Sequence, residues 1–491
     1  MRLSCFYFQE AFKFSSSWRL RALLFIAIFG NVNLVLSQVQ YINVAPSLGI
    51  DHFVNPHPFA QQRLGGAAWI DYDNDGWEDL YLPGGGNGDK LYRNNLGVSF
   101  SDVSTVSNVE SATDGIITLG VSVGDVDRNG FQDLFVTTDF SHHNLLFLNN
   151  GDGTFTEQAE ISGIDDIAFS FGASFGDYDQ DGWLDLYVAN WLDNPILELA
   201  YPDRLYLNDG DGTFTDVTQS MGLFSDKGAG VACTFSDFDL DNDVDLMLGN
   251  DYGFLGWTDE NRLYQNGNGS LSDVAGTTGF DQEIFGFGIV SGDYDEDQDF
   301  DYYLSSIGSN LLLNNDNGQF VDMAPQAGVQ SRWNVIDTTV AGTMFTQGIS
   351  WGAAMIDYDN DSYLDIFVSN GRLPLPGEEQ VFIDENRLFR NLSASGVFED
   401  VSVVTGMDNG INNKGCAVAD YDQDGDLDIV VVTSDTIGGS TRTQLMQNVG
   451  GNTSNWLQIA LVGTVSNFDA IGTVVRLYVN GRVLIKDVDS G

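Results

Sequence analysis

Basic residues are scarce in this sequence: 20 lysines and arginines stand against 71 aspartates and glutamates in 491 residues, a formal net charge of −51. Such a chain repels a phosphate backbone or an anionic lipid surface, which argues against nucleic acid and acidic membranes as partners. Histidine occurs four times, at His52, His57, His142 and His143, with no repeated spacing and no Ser-His-Asp set or nucleophile elbow to go with it. Of three cysteines, Cys5 lies near the N-terminus, and Cys233 and Cys416 fall on distant repeats. They read as small buried hydrophobes, not as a disulfide or metal pair. Long apolar runs are missing too. The longest N-terminal one, "ALLFIAIFG" (22–30), is far short of the roughly 20 residues a spanning helix needs. With Arg2, Lys13, Arg19 and Arg21 before it and Val35–Ser37 ahead of Gln38, it reads as a secretory signal over 1–37, the competing reading being a membrane anchor. The expected localisation is secreted and extracellular (periplasm or cell surface in a bacterium), with no membrane insertion after signal cleavage.

What is present points to a large all-β chain. Hydrophobic residues make up 43% and aromatics 12%, too much for a disordered acidic tail. Glycine is abundant at 56 and proline low at 9, which suits many tight turns. An acidic nonamer recurs seven times: "DYDNDGWED" (71), "DVDRNGFQD" (125), "DYDQDGWLD" (177), "DFDLDNDVD" (237), "DYDEDQDFD" (293), "DYDNDSYLD" (357) and "DYDQDGDLD" (420). The starts are 54, 52, 60, 56, 64 and 63 residues apart, the length of a four-stranded propeller blade.

The rest of the unit repeats with it. A glycine stands five residues before the first Asp (Gly66, Gly120, Gly172, Gly288, Gly352, Gly415), with Ala232 the exception. An apolar strand follows the nonamer, then a Leu-x-x-Asn strand whose Asn (94, 149, 208, 266, 314, 391, 448) opens a turn. A fourth strand such as "FTDVT" follows only six times; "YINVAPSLGI" (41–50) carries the missing copy. The expectation is a seven-bladed β-propeller over 38–449, strands A to D in each blade, in which the N-terminal strand 41–45 closes the last blade and leaves no open sheet edge. Small residues beside the glycines (Ala67, Ala173, Ala353, Cys233, Cys416) suit the crowded axis.

Asp at positions 1, 3, 5 and 9 of a coiled loop, a glycine at 6 and a carbonyl at 7 make an all-oxygen multidentate cage. That is calcium chemistry; zinc and copper want nitrogen or sulfur. The candidate ligands are Asp71, Asp73, Asp75, Trp77 and Asp79; Asp125, Asp127, Asn129, Phe131 and Asp133; Asp177, Asp179, Asp181, Trp183 and Asp185; Asp237, Asp239, Asp241, Asp243 and Asp245; Asp293, Asp295, Asp297, Asp299 and Asp301; Asp357, Asp359, Asp361, Tyr363 and Asp365; and Asp420, Asp422, Asp424, Asp426 and Asp428. Up to seven Ca2+ ions are expected as cofactors, each in an A–B hairpin and structural in role. Asn129 lowers the charge of the second loop. Asn242, Gln298 and Ser362 at position 6 strain the turn, unless Asn242 adopts a left-handed conformation.

"FGASFGDYDQDGWLDLYVAN" (171–190) and "FGFGIVSGDYDEDQDFD" (285–301) resemble the FG-GAP/VCBS repeats of integrin α-chain propellers. After the propeller, 455–491 resembles the start of an ASPIC/UnbV domain, notably "SNFDAIG" (466–472), and stops early for that module. The combination is similar to the cartilage acidic protein family. The resemblance implies a secreted calcium-binding propeller, not an enzyme, serving as an extracellular interaction or adhesion scaffold for a protein or glycan.

Calcium loops are A–B turns, so the long B–C connections (191–203, 251–260, 371–385) and a D–A connection (331–347) fall on the opposite face. They carry Trp191, Tyr201, Tyr252, Phe254, Trp257, Trp333 and Phe382. Either these rings form the partner surface or they only pack over the channel mouth. The alternative function is a calcium-dependent polysaccharide lyase acting on acidic glycans, which would need a base and cations in the channel. "NGS" (268), "NDS" (360), "NLS" (391) and "NTS" (452) match the N-glycosylation pattern.

Overall fold

Each repeat forms its own four-stranded antiparallel sheet in the computed structural model, which describes residues 39–54, 65–194, 199–223, 229–251, 260–330, 348–371, 384–409, 412–433, 442–451 and 455–490. The signal expected over 1–37 lies outside these residues. Blade 2 shows the pattern: strand A Thr118–Gly124, the acidic loop, strand B Asp133–Thr138, strand C Leu145–Asn149 and strand D Phe155–Glu157. The register runs Gly124↔Asp133, Leu134↔Phe147 and Asn149↔Phe155. Strand B is buried along its whole length, because a neighbouring blade covers each face of the sheet. This is why it reads as a near-continuous apolar run rather than an alternating one.

Seven such sheets make the ring. The seventh takes strands A to C from Asn413–Ala419, Asp428–Thr433 and Gln444–Val449, and its fourth from Gln40–Asn43, paired Tyr41↔Asn448. The core is split into seven layers between blades. In one, Ala68 and Tyr81 of blade 1 meet Val123, Leu134, Phe147 and Phe155 of blade 2. In the closing layer Tyr41 joins Ile356 and Phe367 of blade 6 and Ile429 and Val431 of blade 7.

Strand A crowds the axis. A Cβ on Gly66 would sit 2.7 Å from Leu119 O, on Gly172 2.7 Å from Val231 O, and on Gly288 2.8 Å from Trp351 O, so each glycine lets the next blade's backbone approach. Strand A bulges beside this residue in blades 2, 3, 4, 6 and 7. Cys233 and Cys416 sit there as half-buried free thiols.

Two features are not in the sequence reading. Strand D leads into a one-turn helix at Ala45–Leu48, Val109–Thr113, Ala159–Ser162, Ala275–Thr278, Ala324–Ala327 and Ser402–Thr405. Five of them end on a left-handed glycine, such as Gly279 at φ 84°, whose successor (Ile50, Ile164, Phe280, Val329 or Met407) is buried between blades. Second, residues 463–490 pack onto the propeller. A hairpin, Val474–Val479 with Arg482–Asp487, lies over the acidic loops, with Ile471 in the core between blades 2 and 3 and Ile485 in that between blades 4 and 5.

Candidate metal loops

All seven nonamers coil in one way. The position-1 carboxylate accepts the position-6 amide in every loop (Gly76 to Asp71, 2.9 Å; Gly130 to Asp125, 2.9 Å; Gln298 to Asp293, 3.1 Å), and the position-5 amide in six. The position-5 side chain accepts the position-7 amide, as Asp75 does from Trp77 at 3.1 Å. The chain turns left-handed twice per loop. Position 6 does so whether glycine (Gly76, φ 85°) or not: Asn242 and Gln298 at 76° and Ser362 at 74°. The conformation required of Asn242 therefore also holds at the other two. Position 4 is left-handed in all seven as well, from Asn360 (54°) to Glu296 (61°), which its varied residue types concealed.

This coil brings carboxylates together. One oxygen from each of positions 1, 3 and 9 lies within 4.8 Å of the others in Asp71/Asp73/Asp79, Asp125/Asp127/Asp133, Asp177/Asp179/Asp185 and Asp237/Asp239/Asp245; in blade 5 the group is Asp293/Asp295/Asp297. Asp75, Asp181, Asp241, Asp361 and Asn129 at position 5 cap the turn, and side chains at position 7 face elsewhere: Trp77, Phe131 and Trp183 cover Gly97, Gly151 and Gly210 of the adjoining C–D turn.

Several inward oxygens are buried without a hydrogen-bond partner: Oδ1 of Asp73, Asp239, Asp295, Asp359 and Asp422 at position 3, Oδ2 of Asp79 and Asp428 at position 9, and Oδ1 of Asp177. Burial pushes the position-9 carboxyls up, to about 8 in Asp79 and Asp185, to about 9 in Asp245, Asp365 and Asp428, and well above the usual range in Asp133 and Asp301. A buried carboxylate with an unmatched oxygen is costly. A hard divalent cation among oxygens is the group that fits this donor set, so the clusters can hold metal ions.

Each loop is also fastened to the next blade. The position-9 Oδ1 accepts the backbone amide of the strand-C asparagine, 2.6 Å in Asp79–Asn94. That asparagine's side chain donates to the position-2 carbonyl of the preceding blade's loop, at 2.6 to 2.9 Å: Asn149 to Tyr72, Asn208 to Val126, Asn266 to Tyr178, Asn391 to Tyr294, Asn448 to Tyr358 and, across the closure, Asn94 to Tyr421. In blade 5 the asparagine is Asn315, which donates to Phe238, and not Asn314 as the Leu-x-x-Asn spacing has it. Two asparagines in tandem hide the register; Asn314 instead donates to Asp295 Oδ2. The same roles decide the glycosylation motifs. Asn391 is fully buried, Asn360 donates to Gly425 and Asp426, Asn268 is exposed, and Asn452 lies outside the described residues.

The C-terminal segment seats on this face through "SNFDAIG". Asp469 Oδ2 accepts Asp125 N at 2.6 Å, and Asn467 caps its own loop by bonding Ile471. Arg482 pairs with Glu296 and donates to Ser362 O. Further on, Ser490 O accepts Val123 N, while Asp487 Oδ2 accepts Ser291 Oγ at 2.6 Å, so this end reaches the inner strands.

Of the rings expected on the opposite face, Tyr252, Phe254, Trp257, Trp333 and Phe382 lie outside the described residues. Trp191 is not a surface ring: it is buried against Phe169 and Phe171, and its indole N–H donates to Asp251 at 2.8 Å. His52 is buried between Thr443 Oγ1 and Pro83 O, and the His142 and His143 rings meet at 4.2 Å, tilted by 44°.

Residues 71–136, 125–188 and 357–431 match the model of the FG-GAP-like repeat, each match running from one acidic loop to strand B of the next blade. Cartilage acidic protein 1 of Homo sapiens is 24% identical over 382 residues, 70% of this chain and 53% of that protein. The Mus musculus and Xenopus tropicalis proteins are 24% and 23% identical over 378 and 379 residues, each covering 70% of this chain and 55% of the relative. The chain thus spans about half the length of the curated relatives it matches. A solved Agrocybe aegerita lectin, described as recognising non-reducing terminal N-acetylglucosamine, aligns at a TM-score of 0.42 and 14% identity over 76% of this chain and 86% of that one, too loosely to argue from. The chain is a seven-bladed propeller that matches the FG-GAP-like repeat over 71–188 and 357–431 and resembles cartilage acidic protein 1.

Proposed function

We propose that this propeller is a calcium-loaded, non-catalytic scaffold that works outside the cell and holds a protein or glycan partner on the face away from its acidic loops. The observation that carries the calcium reading is the set of buried, unpartnered carboxylate oxygens repeated around the ring. Seven divalent ions would offset charge that the fold otherwise buries at a cost. Secretion rests on the N-terminal basic-then-apolar sequence.

The choice of face rests on what covers the loops. The chain's own hairpin, Asp469 and Arg482 occupy that side. The order of the repeat assigns the long connections to the other side, and the aromatic content of their sequence, Trp257 and Trp333 included, suits a contact surface. The test is capture of matrix proteins and arrayed glycans by calcium-loaded and metal-stripped protein, with Trp257→Ala plus Trp333→Ala as a second arm. The double variant should lose capture while calcium still raises its melting temperature. Undiminished capture would overturn the assignment of the face; no calcium uptake would overturn the loops.

A further inference from the structure

Strand C places one residue beside every acidic loop, just before its asparagine: Arg93, Leu148, Leu207, Gln265, Asn314, Arg390 and Gln447. What it offers differs by blade. Gln265, Asn314 and Gln447 donate an amide to Oδ2 of the position-3 aspartate, at 2.6, 2.9 and 2.7 Å. Leu148 and Leu207 offer nothing polar. Arg93 and Arg390 bring a full charge.

Arg93 Nη2 donates to Asp75 Oδ2 at 3.1 Å, and its Nε lies 2.8 Å from Asp73 Oδ2, an ionic contact off the N–H axis. Arg390 repeats this with Asp361 (2.9 Å) and Asp359 (2.7 Å). Both guanidinium groups take the outer oxygens only. The inner Oδ1 of Asp73 and of Asp359 stays buried and unpartnered, as does Oδ2 of the fully buried Asp79. The fork therefore bridges positions 3 and 5 from outside without filling the centre.

Resting on the calcium reading, we propose that Arg93 and Arg390 are built-in counter-cations of loops 1 and 6: positioning residues that hold these two loops in their coil when calcium is absent. A guanidinium counts most where like charge is uncompensated and less once a divalent ion shares the same carboxylates. By linkage, whatever stabilises the metal-free loop more than the loaded one weakens calcium binding there. Loops 1 and 6 then bind calcium more weakly than they would without their arginines, and depend less on it for their order.

The test uses the whole chain carrying Arg93→Met and Arg390→Met, with Arg→Lys at both sites as the conservative control. Melting is measured metal-free and in saturating calcium, and calcium uptake by equilibrium dialysis. The Met variant should melt several degrees below wild type when metal-free and close to it in calcium. Two of its calcium equivalents should bind at severalfold lower free calcium, with the Lys variant in between. Equal losses in both conditions would mean plain packing and overturn the proposal, as would weaker calcium uptake. If wild type takes up no calcium, the calcium reading falls alone, and the metal-free melting comparison still decides the counter-cation role.

Discussion

At the residue scale, the left-handed positions carry most of the loop's strain. A non-glycine residue there costs about 1 kcal/mol or more, and Ser362 stands exposed at φ 74° where four other loops use glycine. Its backbone N–H donates to Asp357 and its carbonyl accepts from Arg482, neither of which needs the side chain. Ser362→Gly should therefore stabilise the protein by roughly 0.5 to 1 kcal/mol, the relief being partly offset by the freer unfolded chain. Chemical denaturation checks this, and a destabilised variant would show that the hydroxyl has a role of its own. Position 4 teaches the complementary lesson. It is equally left-handed, yet holds Asn, Arg, Gln, Leu and Glu, so no residue preference marked it in the sequence.

At the scale of the element, the strand-C asparagine side chain joins three pieces: position 8 of its own blade's loop, the C–D turn and the loop of the blade before. Asn208 shows all three, accepting Gly210 N at 3.0 Å and donating to Leu184 O and Val126 O at 3.0 and 2.9 Å. Asn208→Leu leaves two buried carbonyls without a donor, and should cost about 2 to 4 kcal/mol. The loss should persist in saturating calcium, because the bonds are made by backbone carbonyls and not by ligand carboxylates. Urea unfolding of the variant measures it, and a loss confined to the metal-free state would place the asparagine in ion binding instead. The repeat was legible because such roles fix residue types at fixed spacing. The bridge between blades was not, since it links residues 82 apart in Asn208–Val126 and nothing local encodes it. In blade 5 even the register was hidden by the tandem Asn314–Asn315. The one-turn helices escaped for another reason: four or five residues are too few to show a helical period.

At the scale of the whole molecule, the buried acidic rings tie stability to metal and pH together. Position-9 carboxyls sit at about 8 to 9 in five loops, far above the ordinary carboxylate range. A raised carboxyl favours the folded state while protonated, so that contribution is complete below the unfolded value and is lost as pH rises toward 9. Metal-stripped protein should melt at a higher temperature near pH 5 than near pH 8. Calcium requires the ionised form, so loaded protein should show the reverse order. Scanning calorimetry at both pH values, with and without calcium, decides; the same order in both series would mean the loops do not govern stability. The sequence could count these loops but not reveal that the C-terminal segment lies across them. The apolar residues of 463–490 carry no periodic signal naming a partner surface, and their seats on blades 2 to 5 exist only after the ring has formed.

The closure at blade 7 has a mechanical consequence. Only Gln40–Asn43 complete that sheet, backed by the Asp51–Arg442 ion pair and the bond from Thr443 N to His52 O. Every other blade is a continuous run of chain. Tension applied upstream of residue 39 falls on Gln40↔Val449 first and peels the pairs one after another, whereas tension on residue 490 loads a hairpin held at many points at once. Blade 7 is thus the sheet sewn from both ends of the propeller: a pull from the N-terminal side strips its outer strand first, while the Asn94–Tyr421 bond still ties blade 1 to blade 7.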